Sequence, residues 1–145
     1  MKQKPILGAL EYCSLPQLGI KQLAMRVDTG ATTSSLHVDN IEEIPRDDDL
    51  YIRFDIHPDI HDVNKLIRCE AQVIGQKQVK SSTATRERRY LINTQLEVAE
   101  QTWQIQLTLT DRSEMTYLML LGREAMSGHF MVDPEFEFLL TSAHG

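Results

Sequence analysis

Asp28 has the clearest sequence signs of a catalytic residue in this chain. An apolar, strand-like stretch at residues 23–27 runs directly into Asp28-Thr29-Gly30-Ala31. That order would place a carboxylate at a strand end, a hydroxyl beside it to hold the loop, and a glycine that lets another backbone approach closely. The alternative is an ordinary turn, because Asp, Thr and Gly are common turn residues. A second apolar stretch far downstream, residues 118–121, leads into Gly122-Arg123 and favours the catalytic interpretation.

The sequence pattern of most of the chain predicts β-strands, and these strands must hold the Asp28 loop in position. Apolar and polar residues alternate over residues 23–27, 51–56 and 103–110, which is typical of strands with one solvated face. Turn-forming residues separate such stretches at short intervals, so the pattern predicts an all-β barrel or sandwich. One short helix is expected at residues 123–127, ended by Gly128. We expect a single domain over residues 1–145.

The composition limits the classes of protein that fit. The chain has 145 residues, of which 41% are hydrophobic, so it can bury a core. Its two cysteines, Cys13 and Cys69, are too few for a disulfide framework, and no secretory signal is evident, so we expect a cytoplasmic protein without a membrane span. A net charge of -6 argues against a general nucleic-acid binder.

The two elements around Asp28 and Gly122 together resemble the retropepsin-like aspartic proteases. Further segments narrow the resemblance to the bacterial and archaeal family labelled "ATP-dependent zinc protease", over about residues 8–140. Members linked to ribosome modification are thought to trim the poly-glutamate tail that a glutamate ligase adds to a small-subunit ribosomal protein. The segments that carry this resemblance are Val27-Asp28-Thr29-Gly30-Ala31, Ser34-Ser35-Leu36-His37, Val79-Lys80-Ser81-Ser82, Glu87-Arg88-Arg89-Tyr90, Leu109-Thr110-Asp111-Arg112, Met119-Leu120-Leu121-Gly122-Arg123 and Val132-Asp133-Pro134.

The resemblance implies a closed or partly closed barrel that carries half of an active site, with residues 27–31 as the active-site loop. Because the chain has one Asp-Thr-Gly, Asp28 would meet its symmetry mate in a twofold homodimer, where the two carboxylates share one proton. Thr29 would brace the two loops across the dimer, and Gly30 would leave room for substrate backbone. Ala31 has no hydroxyl to donate to the carboxylate, so we expect activity closer to neutral pH than in relatives with serine there.

Three other residues are assigned supporting roles by the resemblance. Gly122 and Arg123 would connect the short helix to the active-site strands. An ion pair is expected for Arg123, with the Asp28 loop, Asp111 or Glu124 near it. His37 would be a structural hydrogen-bond partner near the loop.

The ATP and zinc in the family label have no sequence support here. The chain lacks both the Gly-Lys-Ser/Thr loop typical of many ATP-binding proteins and the His-Glu-x-x-His motif of many zinc proteases. His57, His61 and Cys69 form the single group with anything like ligand spacing. Solvated loop histidines and a buried cysteine are the better interpretation, and we expect no metal and no cofactor. A zinc-dependent hydrolase remains an alternative.

Positive charge is concentrated where the resemblance places the flap, a β-hairpin that closes the cleft, at about residues 74–92 with a tip near residues 81–85. Residues 77–89 contain five bases and one acid, a formal charge of +4. This predicts a groove for an acidic, glutamate-rich substrate, because guanidinium and ammonium groups bind carboxylates. A solvated hairpin edge is the alternative. The predicted substrate contacts are Arg86, Arg88, Arg89, Lys80, Ser81 and Arg26.

Residues 50–71 are an addition that the minimal retropepsin lacks, and we expect an added hairpin on the outside of the barrel. Together these features predict a homodimeric aspartic peptidase that cleaves acidic tails, such as that of a ribosomal protein. The alternative from another class is a catalytically silent module that binds such tails; the intact Asp28-Thr29-Gly30 favours catalysis.

Overall fold

The computed structural model describes residues 3–57, 65–80, 86–110 and 117–142. Its elements are mostly β-strands, with a 3-10 turn at Pro16–Leu18 and one short α-helix. Among the described residues, no helix is long and apolar enough to cross a membrane. The elements are β1 Ile6–Leu7, β2 Leu10–Leu15, β3 Ile20–Val27, β4 Ser34–His37, β5 Asp39–Arg46, β6 Asp49–Ile56, β7 Ile67–Gln72, β8 Gly75–Lys80, β9 Arg86–Val98, β10 Gln101–Thr110, β11 Met119–Leu121, α1 Arg123–Met126 and β12 Met131–Val132.

Six strands close into a barrel in the order β10-β4-β11-β3-β2-β9, with β9 pairing back onto β10. Period-two alternation turns the apolar side chains of these strands inward, and Met25, Leu36 and Leu107 are fully buried. The predicted all-β barrel is confirmed, and of the two expected forms, closed or partly closed, the described strands make the closed one. Closure leaves the barrel strands without free edges over their paired lengths.

Strand β11 lies between β3 and β4, parallel to the first and antiparallel to the second. Its register pairs Leu121 with Val27, so the residues that follow each strand, Gly122 and Asp28, leave the sheet side by side. Two elements that lie far apart in the sequence are thereby brought to one end of the barrel.

The region added to the barrel is larger than the hairpin predicted at residues 50–71. It is a three-stranded antiparallel sheet, β5-β6-β7, in which β5 precedes the predicted segment. The sheet does not simply lie outside the barrel: Ile52, Phe54 and Ile56 are fully buried and join the main core. The alternating apolar side chains of β6 all lie on one face of the sheet. That face packs against the main core because those side chains must be buried away from water.

The predicted hairpin at residues 74–92 corresponds to β8 and the first half of β9. These strands pair antiparallel from Gly75 opposite Leu91 to Lys80 opposite Arg86. The expected tip at residues 81–85, which includes Ser81, lies outside the described residues. We call β8 together with residues 86–91 the hairpin.

Asp55 gives the added sheet a pH-dependent contribution to stability. This buried carboxylate accepts hydrogen bonds from Arg68 Nε at 3.0 Å and from Asn40 Nδ2 at 3.0 Å. The bond from Arg68, then that from Asn40, holds the pKa of Asp55 below its ordinary value. A carboxylate with a depressed pKa stabilises the fold above its unfolded pKa of about 3.9, and this is lost as the pH falls through the folded pKa.

We therefore expect Asp55→Asn to be less stable than the wild type at pH 7, with the difference shrinking toward pH 3. Urea unfolding across this range measures it, and Asp49→Asn, at an exposed carboxylate at the start of β6, is the matched control. A stability difference between Asp55→Asn and the wild type that stayed constant with pH would contradict a depressed pKa for Asp55.

Candidate active site

Asp28 is displayed at the end of β3 by a tight loop. Its N–H donates to Leu121 O at 2.9 Å, and its carboxylate Oδ1 accepts the Gly30 N–H at 2.9 Å. A Cβ on Gly30 would lie 3.2 Å from Oδ1, so a larger residue there would press on the carboxylate. Asp28 is half-buried, whereas Thr29 and Gly30 are exposed. The loop therefore orients one oxygen of the carboxylate while its outer surface stays open.

The start of helix α1 is hydrogen-bonded to the residues that follow Asp28. The first two N–H groups of the helix, at Arg123 and Glu124, donate to Ala31 O at 2.7 Å and Thr32 O at 3.0 Å. The loop carbonyls thus satisfy donors that a helix start otherwise leaves unpaired. Ala31, one of the predicted supporting residues, contributes its backbone rather than its side chain to this contact.

Arg123 adds a side-chain brace to the same loop. Its Nη1 donates to Thr29 O at 2.8 Å and its Nη2 to Thr32 Oγ1 at 3.2 Å. In the described part of the chain, these neutral oxygens replace the carboxylate partner that we expected. Asp111, one of the expected partners, lies outside the described residues.

Gly122 is required where β11 passes the loop. Its N–H donates to Ser34 Oγ at 2.9 Å, and a Cβ placed on it would lie 2.5 Å from the carbonyl carbon of Thr33 and 2.8 Å from Ser34 N. Both clashes involve backbone, which cannot move away without shifting the active-site loop.

We expect Gly122→Ala to lower the free energy of unfolding by about 1–3 kcal/mol, as overpacking usually does, and to reduce activity as well. Gly75→Ala is the control, because a Cβ there meets nothing within 4 Å. Chemical denaturation of both variants measures the effect, and equal stability would show that the loop accommodates the methyl group.

The basic residues of the hairpin lie on two faces. Lys77 is paired in register with Arg89 and donates from Nζ to Thr33 Oγ1, so their shared face is turned toward the active-site loop. Arg89 is buried, and its guanidinium donates to Glu87 Oε2 at 3.3 and 3.4 Å. Arg88 is exposed on the opposite face. The predicted opposition of Arg88 and Arg89 is therefore observed, and the structure adds Lys77 to the candidate residues.

Three other predicted contact residues lie elsewhere. The backbones of Lys80 and Arg86 are opposite each other in the strand register at the tip end of the hairpin. Arg26 is exposed on β3, two residues before Asp28.

His37 and His57 lie on either side of Asp39. His37 Nε2 is 3.8 Å from Asp39 Oδ1, and His57 Nε2 is 3.5 Å from Asp39 Oδ2. Cys69 instead packs in the core, where its thiol donates to Leu18 O at 3.3 Å and burial raises its pKa to about 11. Over residues 3–57, 65–80, 86–110 and 117–142, no three His, Cys, Asp or Glu side chains are arranged to hold a metal ion. His61 lies outside these ranges.

Several known proteins resemble this chain over most of its length. The family described as "RimB-like: Retropepsin-like aspartic endopeptidase RimB" matches residues 6–142. A protein named probable alpha-L-glutamate ligase from Parasynechococcus marenigrum is 48% identical over 93% of this chain and 29% of its own length. One of the same name from Shewanella pealeana is 41% identical over 94% of this chain and 30% of its own length. The chain thus spans less than a third of the curated relatives that it matches.

A solved structure shares the fold. A Legionella pneumophila protein of unknown function (DUF785) superposes with a TM-score of 0.77 at 26% identity, covering 95% of this chain and 99% of that protein. With the family match over nearly the whole chain and the Asp28 loop at the expected place in a closed barrel, the chain belongs to the RimB-like family of retropepsin-like aspartic endopeptidases.

Proposed function

We propose that this chain is a homodimeric aspartic peptidase that hydrolyses acidic, glutamate-rich peptide segments. The observation that carries the proposal is the Asp28-Thr29-Gly30 loop, half-buried at Asp28 and exposed at Thr29 and Gly30, which Arg123 and the start of α1 hold in place. One chain offers a single such loop. A second copy would complete the pair of carboxylates.

Exposed apolar side chains on the terminal segments would favour association with a second copy. Large apolar side chains are exposed on β1, β12 and the C-terminal segment, and we call them the apolar patch: Ile6, Met131, Phe136 and Leu139. Ala9 links the patch to the loop, because its N–H donates to Phe136 O at 2.6 Å and its carbonyl accepts the Val27 N–H at 2.9 Å. A twofold contact over this patch would bury apolar surface on segments that Ala9 joins to the strand ending at Asp28.

The chemistry follows from two carboxylates that share one proton. The charged carboxylate takes a proton from a water molecule as the oxygen of that water attacks the scissile carbonyl carbon. The protonated carboxylate donates to the carbonyl oxygen, which gives a tetrahedral diol. The diol collapses when the carboxylate that is now charged takes a proton from one diol hydroxyl, the C–N bond breaks, and the other carboxyl gives its proton to the leaving nitrogen, which returns the pair to its one-proton state. The Gly30 N–H orients one oxygen of Asp28, and in a symmetric pair either Asp28 would take either role.

The substrate class is supported by charge and by the relatives. Residues 77–89 carry +4 in a chain of net charge -6. The curated relatives are named probable alpha-L-glutamate ligases. The match to this chain covers about 30% of each relative, so the ligase activity could lie in the rest of its length. A peptidase joined to a protein that adds glutamate would act on the bonds that the ligation forms. A glutamate-tailed protein, such as a ribosomal protein in the cytoplasm, is the proposed substrate.

Mass spectrometry of a glutamate-tailed peptide incubated with the protein tests this proposal, with a glutamine-tailed peptide as the matched neutral control. We expect the glutamate tail to be shortened much faster, and EDTA to leave the rate unchanged. Tight binding without cleavage would identify the silent binding module instead, and inhibition by EDTA would favour the zinc hydrolase. Equal cleavage of both tails would remove the acidic preference.

A further inference from the structure

The hairpin is fixed between the active-site loop and the added sheet, so its two faces have different surroundings. On one face, Lys77 donates to Thr33 Oγ1, five residues after Asp28. On the other, the Tyr90 hydroxyl donates to Glu43 Oε1 of β5. Tyr90 pairs with Gln76, and Arg88 with Gln78, so this second face, with Arg88, is directed away from the loop.

The two cations on the loop side are compensated differently. Arg89 is buried and ion-paired with Glu87 on its own strand. Lys77 is half-buried, and its partner among the described residues is the neutral hydroxyl of Thr33. A hydroxyl does not cancel the charge of an ammonium group. Lys77 thus keeps a positive potential beside the catalytic loop, and a carboxylate would be a stronger acceptor than the hydroxyl that it now uses.

We propose that Lys77 is the residue that binds the substrate glutamate side chain next to the scissile bond, with Thr33 holding its ammonium group when no substrate is bound. The inference rests on the proposed function and deepens it. It also ranks the basic residues: Lys77 makes the principal carboxylate contact, Arg89 shapes the hairpin through Glu87, and the exposed Arg88 contributes less.

The test compares Lys77→Gln with Lys77→Arg, Arg88→Gln and the charge-matched control Lys21→Gln, an exposed lysine at the start of β3, far along that strand from Asp28. For the glutamate-tailed peptide, Lys77→Gln should raise KM about tenfold or more with kcat little changed, as expected for loss of a charged hydrogen bond. Lys77→Arg should restore much of this loss, and Lys21→Gln should behave like the wild type. Cleavage of the glutamine-tailed peptide should not change.

If Lys77 were only structural, Lys77→Gln would lower the melting temperature and reduce the cleavage rates of both peptides equally. That result would overturn the inference. So would an Arg88→Gln defect as large as that of Lys77→Gln. If the wild type cleaves neither peptide, the proposed function fails, and fluorescence anisotropy with a labelled glutamate tail then tests Lys77 alone. A tenfold weaker Kd for Lys77→Gln supports the contact, and an unchanged Kd overturns it.

Discussion

Replacing Asp28 with asparagine is expected to reduce hydrolysis of a glutamate-tailed peptide by about 10³-fold or more, because asparagine can neither accept nor hold the shared proton. The substitution is nearly isosteric, and its amide oxygen can still accept the Gly30 N–H that now bonds to Oδ1. The fold should therefore persist. Initial rates from mass spectrometry, with circular dichroism melting as the check on folding, measure both parts of this prediction.

Asp49→Asn is the control for Asp28→Asn, since it removes an equal charge from an exposed position at the start of β6. It should cleave at the rate of the wild type. Undiminished cleavage by Asp28→Asn would place the catalytic group elsewhere and refute the carboxylate pair.

Glu11→Gln is expected to cause a larger loss of stability than Asp55→Asn or Gly122→Ala. Glu11 is completely buried, and its carboxylate accepts five hydrogen bonds, four of which attach the C-terminal segment to β2. The donors are Gly8 N at 2.7 Å, Leu139 N and Leu140 N at 3.0 Å each, Thr141 N at 2.9 Å and Thr141 Oγ1 at 2.6 Å. A glutamine amide has one acceptor oxygen and one NH2 group. Its NH2 group would therefore face N–H or O–H donors that now bond to a carboxylate oxygen.

We expect this substitution to lower the free energy of unfolding by about 3–5 kcal/mol, since buried donors would be left without an acceptor. The melting temperature should fall by about 10–16 °C. Glu135→Gln, at an exposed position of the C-terminal segment, is the control and should melt like the wild type.

The pH dependence of this effect has a defined sign. Burial alone would raise the pKa of Glu11, but the bonds from Gly8, Thr141 and Leu140 together hold it below its ordinary value. The carboxylate therefore stabilises the fold at neutral pH, and this contribution is lost as the pH falls through the folded pKa. The gap between wild type and Glu11→Gln should close in acid. A melting temperature for Glu11→Gln equal to that of the wild type at pH 7 would contradict the role of this contact.

The sequence was informative where a local pattern determines the structure. Period-two alternation predicted β3, β6 and β10, because each strand has one buried face. The resemblance supplied what periodicity could not, namely that Asp28 and Gly122 belong to one site, and the pairing of Val27 with Leu121 places them side by side.

The remaining features depend on register and distant contacts. Lys77 was one of several bases in the hairpin, and its pairing with Arg89 depends on how the strands align across the tip. Strand β5 was missed because its sequence is largely polar and contains Pro45. The burial of Glu11 was not predicted, because no local pattern shows that Thr141, distant in the sequence, donates a hydrogen bond to its carboxylate.

Two chains are expected to share one catalytic pair, and mixing of wild-type and variant subunits tests this sharing. Wild type and Asp28→Asn are combined in equal amounts at constant total protein, with native mass spectrometry confirming that mixed dimers have formed. If the pair needs Asp28 from both chains, mixed dimers are inactive, and hydrolysis of the glutamate tail should fall to about one quarter of the all-wild-type rate. A fall to only about one half would show that each chain works alone and would contradict the shared site.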